Sequence, residues 1–496
     1  MKLAKLSLWI GMACCGMALL AACSSKTPEQ QMVNDVAKAL GGVERVQAVT
    51  ALVLEGTGSQ YNFGQDVRPG AREETFKVTG YHRAVDLAGG RSRTELTRVA
   101  NFIYSQGPGP QKLVQGIVGN VAWNINAAGV VSRAADPVAT ERHAELYHHP
   151  LAAVRAALDP AAKLGNLRRQ GDDSLLDVVA ADGQKFTLAV HAITMLPTRV
   201  ITESDHINLG DVANSTSFED YKESGGLRLP TKFTTRTDEF AIAEFQIASH
   251  GVNADTGDLT VPAEAASAAA VPGQLPANVT VESLAKGVWL LAGQTHHSVL
   301  VEFKDHGVLI EAPQNDTRTL AVIERARALL KGKPVTMVVA THHHFDHAGG
   351  LRAAIAEGLT VVTHAGNVAT FERIVDRPHT RSPDHLARNP KPAAFEGVTT
   401  DKLMSDGTMT LQLLAAPGPH SETMLVAWLP GSRMLVEADL YTPGGTNPPV
   451  FAPTLLQQVE TLGLPVDRIV PLHGTEVTVP FSRFRKEALA AASGPG

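Results

Sequence analysis

The stretch ATHHHFDHAGG, residues 340–350, places four histidines and one aspartate within six positions. The apolar run PVTMVVAT, residues 334–341, precedes it and predicts a buried strand. Gly349 and Gly350 allow a tight turn into a helix that begins at Leu351. Burying so many polar side chains costs free energy unless they pair with one another or bind a metal ion. The stretch therefore predicts a metal site at the end of a strand. An exposed histidine-rich tract, the alternative, explains neither the strand before it nor the glycine pair after it.

The spacing of the polar residues predicts two metal positions. In an extended backbone, side chains two residues apart lie on the same face. His342 and His344 can therefore bind one ion together, whereas His343 points away. As the chain turns, Asp346 and His347 are directed to a second position. Imidazole and carboxylate ligands of this kind suit zinc, and they also fit iron and manganese.

The second half of the sequence alternates short apolar runs with amphipathic segments. The runs GVWLLAG (287–293), SVLVEF (298–303) and GVLIEA (307–312) predict strands, and TRTLAVIERARALLKG (317–332) predicts a helix. This alternation is typical of an α/β domain with a mostly buried sheet. Of the 19 histidines, 12 lie after residue 287, so this half also contains the candidate metal site.

The first half is predicted to be a different kind of domain. A helix is predicted over 29–40, with Gly41-Gly42 as its stop signal. From there to about residue 250, short runs rich in Val, Thr and aromatic residues predict an antiparallel, β-rich domain with a few helices. Residues 251–277 are rich in Ala and Pro and predict a linker or extended seam. The predicted domains are therefore 23–250 and 278–496.

The stretch ALGGVERVQAVTALVLEGTGS, residues 39–59, is similar to the start of periplasmic lipoprotein-carrier-like domains. The resemblance is loose, and it implies an open half-barrel around a helical plug. An unrelated all-β accessory domain is the alternative.

Residues 1–22 have the composition of a secretory signal peptide, with Lys2 and Lys5 before a short apolar run. The sequence LAAC that ends at Cys23 resembles a bacterial lipobox. The resemblance implies cleavage before Cys23, a lipid on that residue, and a periplasm-facing lipoprotein of the cell envelope. Ser24-Ser25 resembles the signal for sorting to the outer membrane. An ordinary secreted protein is the alternative.

Composition excludes several classes of function. The formal net charge is −6 and no long basic run is present, so a nucleic-acid partner is not expected. Beyond residue 22 no apolar stretch reaches about 18 residues, so a lipid would be the only membrane attachment evident from the sequence. The three cysteines are Cys14, Cys15 and Cys23, so neither disulfides nor thiolate metal ligands are expected in the folded domains.

The pattern H-x-H-x-D-H at residues 342–347 resembles the signature of the metallo-β-lactamase superfamily. The resemblance extends over roughly 280–490 and implies a four-layer αβ/βα sandwich with two metal ions at one edge. It implies three further ligands that follow strands in chain order, namely His420, Asp439 and His473.

The resemblance also assigns the ligands to two ions, most simply zinc. One ion is held by His342, His344 and His420, the other by Asp346, His347 and His473, and Asp439 bridges them. The implied reaction is hydrolysis of a small-molecule substrate by metal-bound hydroxide, with Asp346 as the catalytic residue that orients it. The scissile bond would be an ester, thioester, lactone, amide or phosphodiester. Because superfamily β-lactamases generally lack the bridging aspartate, the chain is more similar to the thioesterase, lactonase and phosphodiesterase branches.

Three alternatives follow from the remaining sequence. The segment 371–395 is rich in Arg and His and is either a lid that offers cations to an anionic substrate or a solvated helix and loop. His296 and His297 form either a substrate contact or an exposed turn. The whole protein is either a hydrolase or an envelope lipoprotein that binds lipid or a partner, with a structural or vestigial metal domain.

Overall fold

A computed structural model describes residues 26–102, 109–271, 277–293, 295–445 and 449–493. The predicted signal peptide 1–22 and the lipid site Cys23 lie outside the described residues, so both remain predictions. Within the described ranges, every helix is too short or too polar to cross a membrane.

The N-terminal domain is built on a single antiparallel sheet. Its helices are α1 Pro28–Leu40, α2 Val43–Gln47, α3 Asp136–Glu145 and α4 Pro150–Ala157. Its strands are β1 Ala51–Tyr61, β2 Thr75–Asp86, β3 Arg91–Ala100, β4 Gln111–Val118, β5 Val121–Ile125, β6 Val131–Arg133, β7 Lys163–Gln170, β8 Asp173–Val179, β9 Lys185–His191, β10 Pro197–His206, β11 Gly210–Ser224, β12 Leu227–Thr237 and β13 Phe240–Val252. In the described residues these strands form one 13-stranded sheet, ordered β6-β5-β4-β3-β2-β1-β13-β12-β11-β10-β9-β8-β7. The predicted β-rich, antiparallel domain is confirmed.

Helix α1 begins and ends where its sequence predicts. The Thr27 hydroxyl accepts the Gln30 backbone N–H, and the Gln30 side chain accepts the Thr27 N–H, so both ends of a capping box are present. Gly41 ends the helix at φ +128°, and a Cβ there would lie 2.2 Å from the Gly226 carbonyl oxygen. The apolar face of α1 packs into the same core as the sheet strands and α4.

The predicted linker 251–277 lies along the N-terminal domain. Strand β13 continues to Val252, and a further short helix, α5 Ala263–Ser267, follows. Ala265 is fully buried and packs with Val114 and Trp123 of the N-terminal sheet. This part of the chain is therefore a packed seam up to at least α5.

The C-terminal domain contains two sheets. The first half has β14 Thr280–Ala285, β15 Val288–Ala292, β16 Ser298–Glu302, β17 Gly307–Ile310, α6 Asp316–Leu330, β18 Val335–Ala340, α7 Phe345–Ala348, α8 Leu351–Ala356, β19 Thr360–His364, α9 Val368–Val375, α10 His385–Arg388 and β20 Phe395–Val398. The second half has β21 Asp401–Ser405, β22 Thr410–Ala415, β23 Leu425–Leu429, β24 Met434–Glu437, α11 Ala452–Thr461, β25 Arg468–Pro471, β26 Val479–Pro480 and α12 Phe481–Ala492. Strands β14 to β20 form one sheet and β21 to β26 the other, each in chain order.

The buried residues show that these elements stack in four layers. Alternate residues of both sheets, such as Val301 and Leu413, share one core between the sheets. The other face of the first sheet packs against α6, α8 and α9, with Leu309 and Ile323 in that core. The other face of the second sheet packs against α11 and α12. The predicted four-layer αβ/βα sandwich is confirmed.

Parallel strands place the connecting loops of both sheets at one edge. Strands β17, β18 and β19 pair in parallel in the first sheet, and β24 pairs in parallel with β25 in the second. The carboxyl ends of parallel strands meet at the same edge, where sites in α/β folds usually lie. The loops that follow these strands therefore share one rim.

Among the contacts between the two domains, those of two segments bear on the site. The connection between β1 and β2, residues 62–74, reaches the rim of the C-terminal domain. In return, the basic segment 371–395 reaches the N-terminal sheet: Arg377 pairs with Asp238, and the Thr380 N–H donates to the Asp211 carboxylate at 3.1 Å. Arg381 likewise pairs with a carboxylate of the N-terminal domain. These arginines are occupied in domain packing, which disfavours a lid that offers them to a substrate.

Candidate metal centre

The rim loops bring the seven predicted ligands together. His342 follows β18, and His344 caps the short helix α7, which carries Asp346 and His347. The other three lie in the second half of the domain: His420 between β22 and β23, Asp439 after β24, and His473 after β25.

The first cluster consists of His342, His344, His420 and Asp439, whose nearest ligand atoms all lie within 4.8 Å of one another. The Nε2 atoms of His342 and His420 are 3.4 Å apart. The Asp439 Oδ2 atom lies 3.1 Å from the His420 Nε2 and 3.6 Å from the His342 Nε2. This is the predicted first ligand set, joined by the predicted bridging carboxylate.

The second position is formed by two overlapping clusters that share Asp346. One consists of Asp346, His347 and Asp439, and the other of His296, Asp346 and His473. The Asp439 Oδ2 atom is 3.0 Å from the His347 Nε2, so this carboxylate faces both positions. Asp346 therefore joins His347 in one cluster and His473 in the other, with His296 as an additional member of the latter, and the three predicted ligands do not form a single cluster.

The sequence predicts that His296 lies near the site as either a substrate contact or an exposed turn. The exposed turn is wrong, since His296 is only 8% exposed. Its Nε2 lies 3.2 Å from the Asp346 Oδ2, and its ring centroid is 4.3 Å from that of His473. His297 is also buried, and its Nε2 lies 2.9 Å from the Gly474 carbonyl oxygen. An isolated bridge between His296 and His473 holds the two loops together.

The side chains fit bound metal ions. The His347 Nε2 atom is buried without a hydrogen-bond partner among the described residues, although the Asp439 Oδ2 lies 3.0 Å away. Two imidazole nitrogens that face each other at 3.4 Å, as those of His342 and His420 do, need a proton or a cation between them. The donors are nitrogen and oxygen only, the set that suits zinc, iron or manganese.

The electrostatics of the centre favour a cation at the second position. Burial alone would lower the pKa of the His347 imidazole, but the carboxylates of Asp439, Asp346 and Glu311 outweigh it and hold the pKa well above its usual value. At the first position, burial and then the neighbouring imidazoles hold the pKa of His342 well below its usual value. A ring that stays neutral keeps a lone pair for metal binding.

The two carboxylates of the centre are ionised at neutral pH. Burial opposes ionisation of Asp346, but the nearby His347 and the hydrogen bond from His296 lower its pKa below the usual value. Burial likewise opposes ionisation of Asp439, and His347 followed by His420 brings its pKa well below the usual value. Both side chains are therefore available as anionic ligands.

Glu311 holds two parts of the ligand motif in place. It is fully buried immediately after β17, and its Oε2 lies 3.0 Å from the His347 Nδ1. Its Oε1 accepts the Thr341 backbone N–H at 3.0 Å. A carboxylate on the distal nitrogen fixes the ring and leaves the other nitrogen for the metal. No sequence signal predicts this role, because Glu311 lies outside the motif.

A second buried glutamate shapes the turn that carries Asp439. The Glu437 Oε2 accepts the backbone N–H groups of Leu440 at 2.9 Å and Tyr441 at 3.0 Å. Asp439 lies between Glu437 and Leu440 in the chain, and its φ of +61° is in the left-handed region. Burial, followed by the charge of Asp439, raises the pKa of Glu437 well above its usual value.

The N-terminal domain contributes residues to the centre. The Gln65 Nε2 donates to the Asp346 Oδ1 at 3.2 Å. The Asp66 carbonyl oxygen lies 2.9 Å from the His344 Nε2, and its Oδ1 lies 2.9 Å from the His343 Nε2. His343, predicted to point away from the metals, faces this aspartate. No sequence signal linked these residues to the motif, since about 280 positions separate them.

Comparison with known proteins identifies the family of this region. Residues 292–473 match the family model of the Metallo-beta-lactamase superfamily, and the match contains all seven predicted ligands. A comparison with curated protein sequences gives no match. The C-terminal domain has the metallo-β-lactamase fold.

Several solved structures are similar to part of the chain. A metallo-beta-lactamase from Pontibacter korlensis is 20% identical over 44% of this chain and 100% of its own, with a TM-score of 0.33. The metallo-beta-lactamase FIM-1 from Pseudomonas aeruginosa, in its mono-zinc form, is 22% identical over 45% of this chain and 99% of its own, with a TM-score of 0.34. A metallo-beta-lactamase from Hirschia baltica is 18% identical over 43% of this chain and 97% of its own, with a TM-score of 0.32.

Proposed function

We propose that the protein is a metal-dependent hydrolase with two zinc ions in its metallo-β-lactamase domain. The observation that carries this proposal is the position of the Asp439 carboxylate. Its Oδ2 lies within 3.0–3.6 Å of nitrogens from His342, His347 and His420, so one oxygen serves both clusters. A purely structural zinc site is typically closed by four ligands around one ion, whereas linked clusters with a shared carboxylate are typical of catalysis.

The ions would be held by the two sets of side chains described above, and when bound they would supply Lewis-acid activation of water and of the substrate oxygen. Asp346 is the most exposed of the central carboxylates, with a side chain 32% accessible, whereas Asp439 is 12% accessible. Because its pKa is lowered, Asp346 is ionised at neutral pH and can accept a proton from the attacking water. His296 and Gln65 each contact one of its oxygens and hold it in place.

The ligand chemistry favours a substrate whose reaction develops negative charge on oxygen. Esters, thioesters, lactones, amides and phosphodiesters all meet that condition. We place thioesters, lactones and phosphodiesters first, because the bridging Asp439 makes the chain similar to those branches of the superfamily.

The proposal is tested by metal analysis of the purified protein together with a hydrolysis panel. The panel contains esters, thioesters, lactones, β-lactams and phosphodiesters, assayed with and without a chelator. We expect about two zinc equivalents per chain and chelator-sensitive turnover of at least one class. Asp346→Ala should remove turnover while leaving the melting temperature nearly unchanged. The matched control is Asp376→Ala, an exposed aspartate at the end of α9, which should retain full activity.

Three outcomes would contradict the proposal. The first is turnover that survives complete removal of metal, and the second is a protein that binds no metal. The third is a cellular role that Asp346→Ala leaves unaffected, which would favour the alternative of a lipid- or partner-binding lipoprotein with a structural or vestigial metal domain.

We further propose that the enzyme is anchored in the cell envelope by a lipid on Cys23, facing the periplasm and sorted to the outer membrane. The support is the lipobox-like sequence that ends at Cys23. Labelling with a fatty-acid probe and membrane fractionation of the natural chain and of Cys23→Ser test it. The natural chain should carry label and sediment with outer membranes, and the variant should do neither. An unlabelled natural chain would favour an ordinary secreted protein.

A further inference from the structure

The connection between β1 and β2 lies across the metal centre. We name residues 62–74 the covering loop. It leaves the N-terminal sheet at Tyr61, whose register partner is Thr75, so the loop projects from the end of an antiparallel hairpin. A two-residue turn is enough to join two such strands, and this connection is far longer. The additional residues reach the rim of the other domain.

The covering loop contacts segments that carry ligands of both metal positions. On one side, the Gln65 Nε2 donates to Asp346, and the Asp66 carbonyl oxygen lies 2.9 Å from the His344 Nε2. On the other side, the Glu422 N–H, two residues after His420, donates to the Val67 carbonyl oxygen at 2.6 Å. The loop therefore crosses from the helix that carries Asp346 to the turn that carries His420.

Apolar packing fixes the loop at its base. The ring of Phe63 lies against that of Phe345, with centroids 5.8 Å apart. Gly64 has φ +77°, and a Cβ there would lie 2.7 Å from the Phe345 ring. The Glu73 carboxylate accepts the N–H groups of Gly64 and Gln65, which braces the loop from within.

Among the described residues, the ligands near the covering loop differ in how far they are buried. His344 is fully buried beneath the loop and His420 is 5% exposed, whereas Asp346 and His473 are half-buried. A substrate can therefore approach from the side of Asp346 and His473, while the loop occupies the approach to His344.

We propose that the covering loop is the specificity-determining part of the active site and that Gln65 is a positioning residue for Asp346. This rests on the proposed metal-dependent function. By occupying the His344 side, the loop limits the size of molecules that reach the metals and sets their direction of approach. The N-terminal domain thereby forms one wall of the active site.

The main test shortens the covering loop to a tight turn and keeps the β1–β2 hairpin. Replacing residues 63–73 by Asn-Gly joins Asn62 to Glu74, which are already hydrogen bonded at 2.8 Å, through a turn that suits antiparallel strands. The full chain is loaded with zinc, and metal extraction is timed with two chelators, dipicolinate and the larger 4-(2-pyridylazo)resorcinol. We expect extraction to be about tenfold faster, as for the loss of one or two closing hydrogen bonds, with the larger gain for the larger chelator.

Two point variants provide a matched comparison. Gly64→Ala places a methyl group against the Phe345 ring and should shift the ratio of the two extraction rates in the same direction. Gly70→Ala also lies at positive φ, +79°, but a Cβ there would have no atom within 4 Å. It should leave the ratio unchanged, although both variants strain the same kind of backbone. Gln65→Ala should lower kcat more than it raises KM, because Asp346 loses one of its two fixed contacts.

The ratio of rates separates the outcomes. Unchanged rates in the loop replacement, or equal acceleration with both chelators, would overturn the proposal, since equal acceleration indicates general loosening of the centre. A protein that takes up zinc but shows no change in ratio would disprove only the role of the loop. A natural chain that takes up no zinc would overturn the proposed function itself.

Discussion

Both domains bury histidines, but they satisfy them in different ways. In the N-terminal domain, the ring nitrogens of His148 lie 2.9 Å from the Thr216 hydroxyl and 3.0 Å from the Thr202 hydroxyl. In the C-terminal domain, the rings of His342 and His420 instead face each other and a shared carboxylate, Asp439. A hydroxyl can donate or accept a hydrogen bond, so two hydroxyls can pair with both the N–H and the acceptor nitrogen of a neutral imidazole. Rings that converge on one another need a proton or a cation between their nitrogens, and several such rings around one carboxylate form a set of metal ligands.

Removing the carboxylate shared by the two clusters should have the largest effect on metal binding. Asp439→Asn keeps the side-chain size but removes the charge that faces both clusters. We expect apparent zinc affinity and turnover to fall by more than about 100-fold, beyond the effect typical of residues outside the ligand sphere. Zinc titration followed by activity assay measures it. Asp467→Asn, an exposed aspartate before β25, is the control and should bind zinc normally. Unchanged zinc content in Asp439→Asn would show that the Asp439 carboxylate is not needed to hold the ions.

The next largest effect is expected from the carboxylate behind His347. Glu311→Gln removes the negative charge from the His347 Nδ1 but can still accept the Thr341 N–H. We expect zinc affinity to fall by about 10- to 100-fold with the fold retained. Competition titration against a zinc indicator measures the change. The control is Glu302→Gln on β16, the strand next to β17. Its carboxylate pairs with Lys333, away from the ligands, so zinc affinity should stay unchanged. A Glu311→Gln protein with natural affinity would show that zinc binding does not depend on the negative charge behind His347.

A substitution in the N-terminal domain should affect stability and not metal binding. His148→Gln disturbs the two threonine contacts and should cost about 1–2 kcal/mol in the free energy of unfolding at neutral pH. Zinc content should not change. His82→Gln, on β2 of the same sheet, is the control. Loss of zinc on replacing His148 would contradict the distinction between the two kinds of histidine.

The same variant should show a smaller penalty in acid. Burial lowers the pKa of His148 to about 3, whereas the usual value is 6.5. Between those values the unfolded chain binds a proton at this ring and the folded chain does not. The free energy of unfolding of the natural protein should therefore fall as the pH falls through this window. Urea unfolding at several pH values should show a flatter profile for His148→Gln, and parallel profiles would contradict the prediction.

The smallest effect concerns the covering loop. Burial, followed by the charge of Asp66, raises the pKa of Glu73 to about 7 from 4.5. Between those values the folded chain keeps the proton that the unfolded chain has lost, so stability should fall as the pH rises through this window. Glu73→Gln should remove the fall, by about 1 kcal/mol after allowance for solvent screening. Urea unfolding near pH 5 and pH 8 measures it, with Glu74→Gln as the control. An unaltered fall in Glu73→Gln would exclude this carboxyl group as the cause.

The fold of the C-terminal domain could be predicted because its signals are local. The buried strand before His342, the glycine pair after His347 and the alternating strands and helices each follow from a few adjacent residues. The family match at 292–473 and the two packed sheets confirm that prediction. The ligand assignment is what the resemblance to the superfamily implies. The structure brings the seven side chains into overlapping clusters, and metal analysis of the purified protein tests whether they bind ions.

The remaining parts of the site depend on distant contacts. Glu311 looks like an ordinary residue after a strand until its distance to His347 is known. Gln65 and Asp66 lie in another domain, in a polar loop without periodicity, and only the packing of the two domains brings them to the centre. Contacts between residues so far apart in the chain leave no local pattern in a single sequence. The predicted resemblance of the N-terminal domain to lipoprotein carriers likewise remains a prediction.

The left-handed backbone at Asp439, φ +61°, limits how this site can be lost over evolutionary time. Among the side chains, Gly, Asn and Asp tolerate this conformation best, and of these only Asp carries a negative oxygen. Substitution by a bulky or β-branched residue would cost both the charge and the turn. A related chain that replaces this aspartate but keeps the same turn should therefore carry Asn or Gly at the position. Either replacement would preserve the backbone and remove the negative charge that faces both clusters.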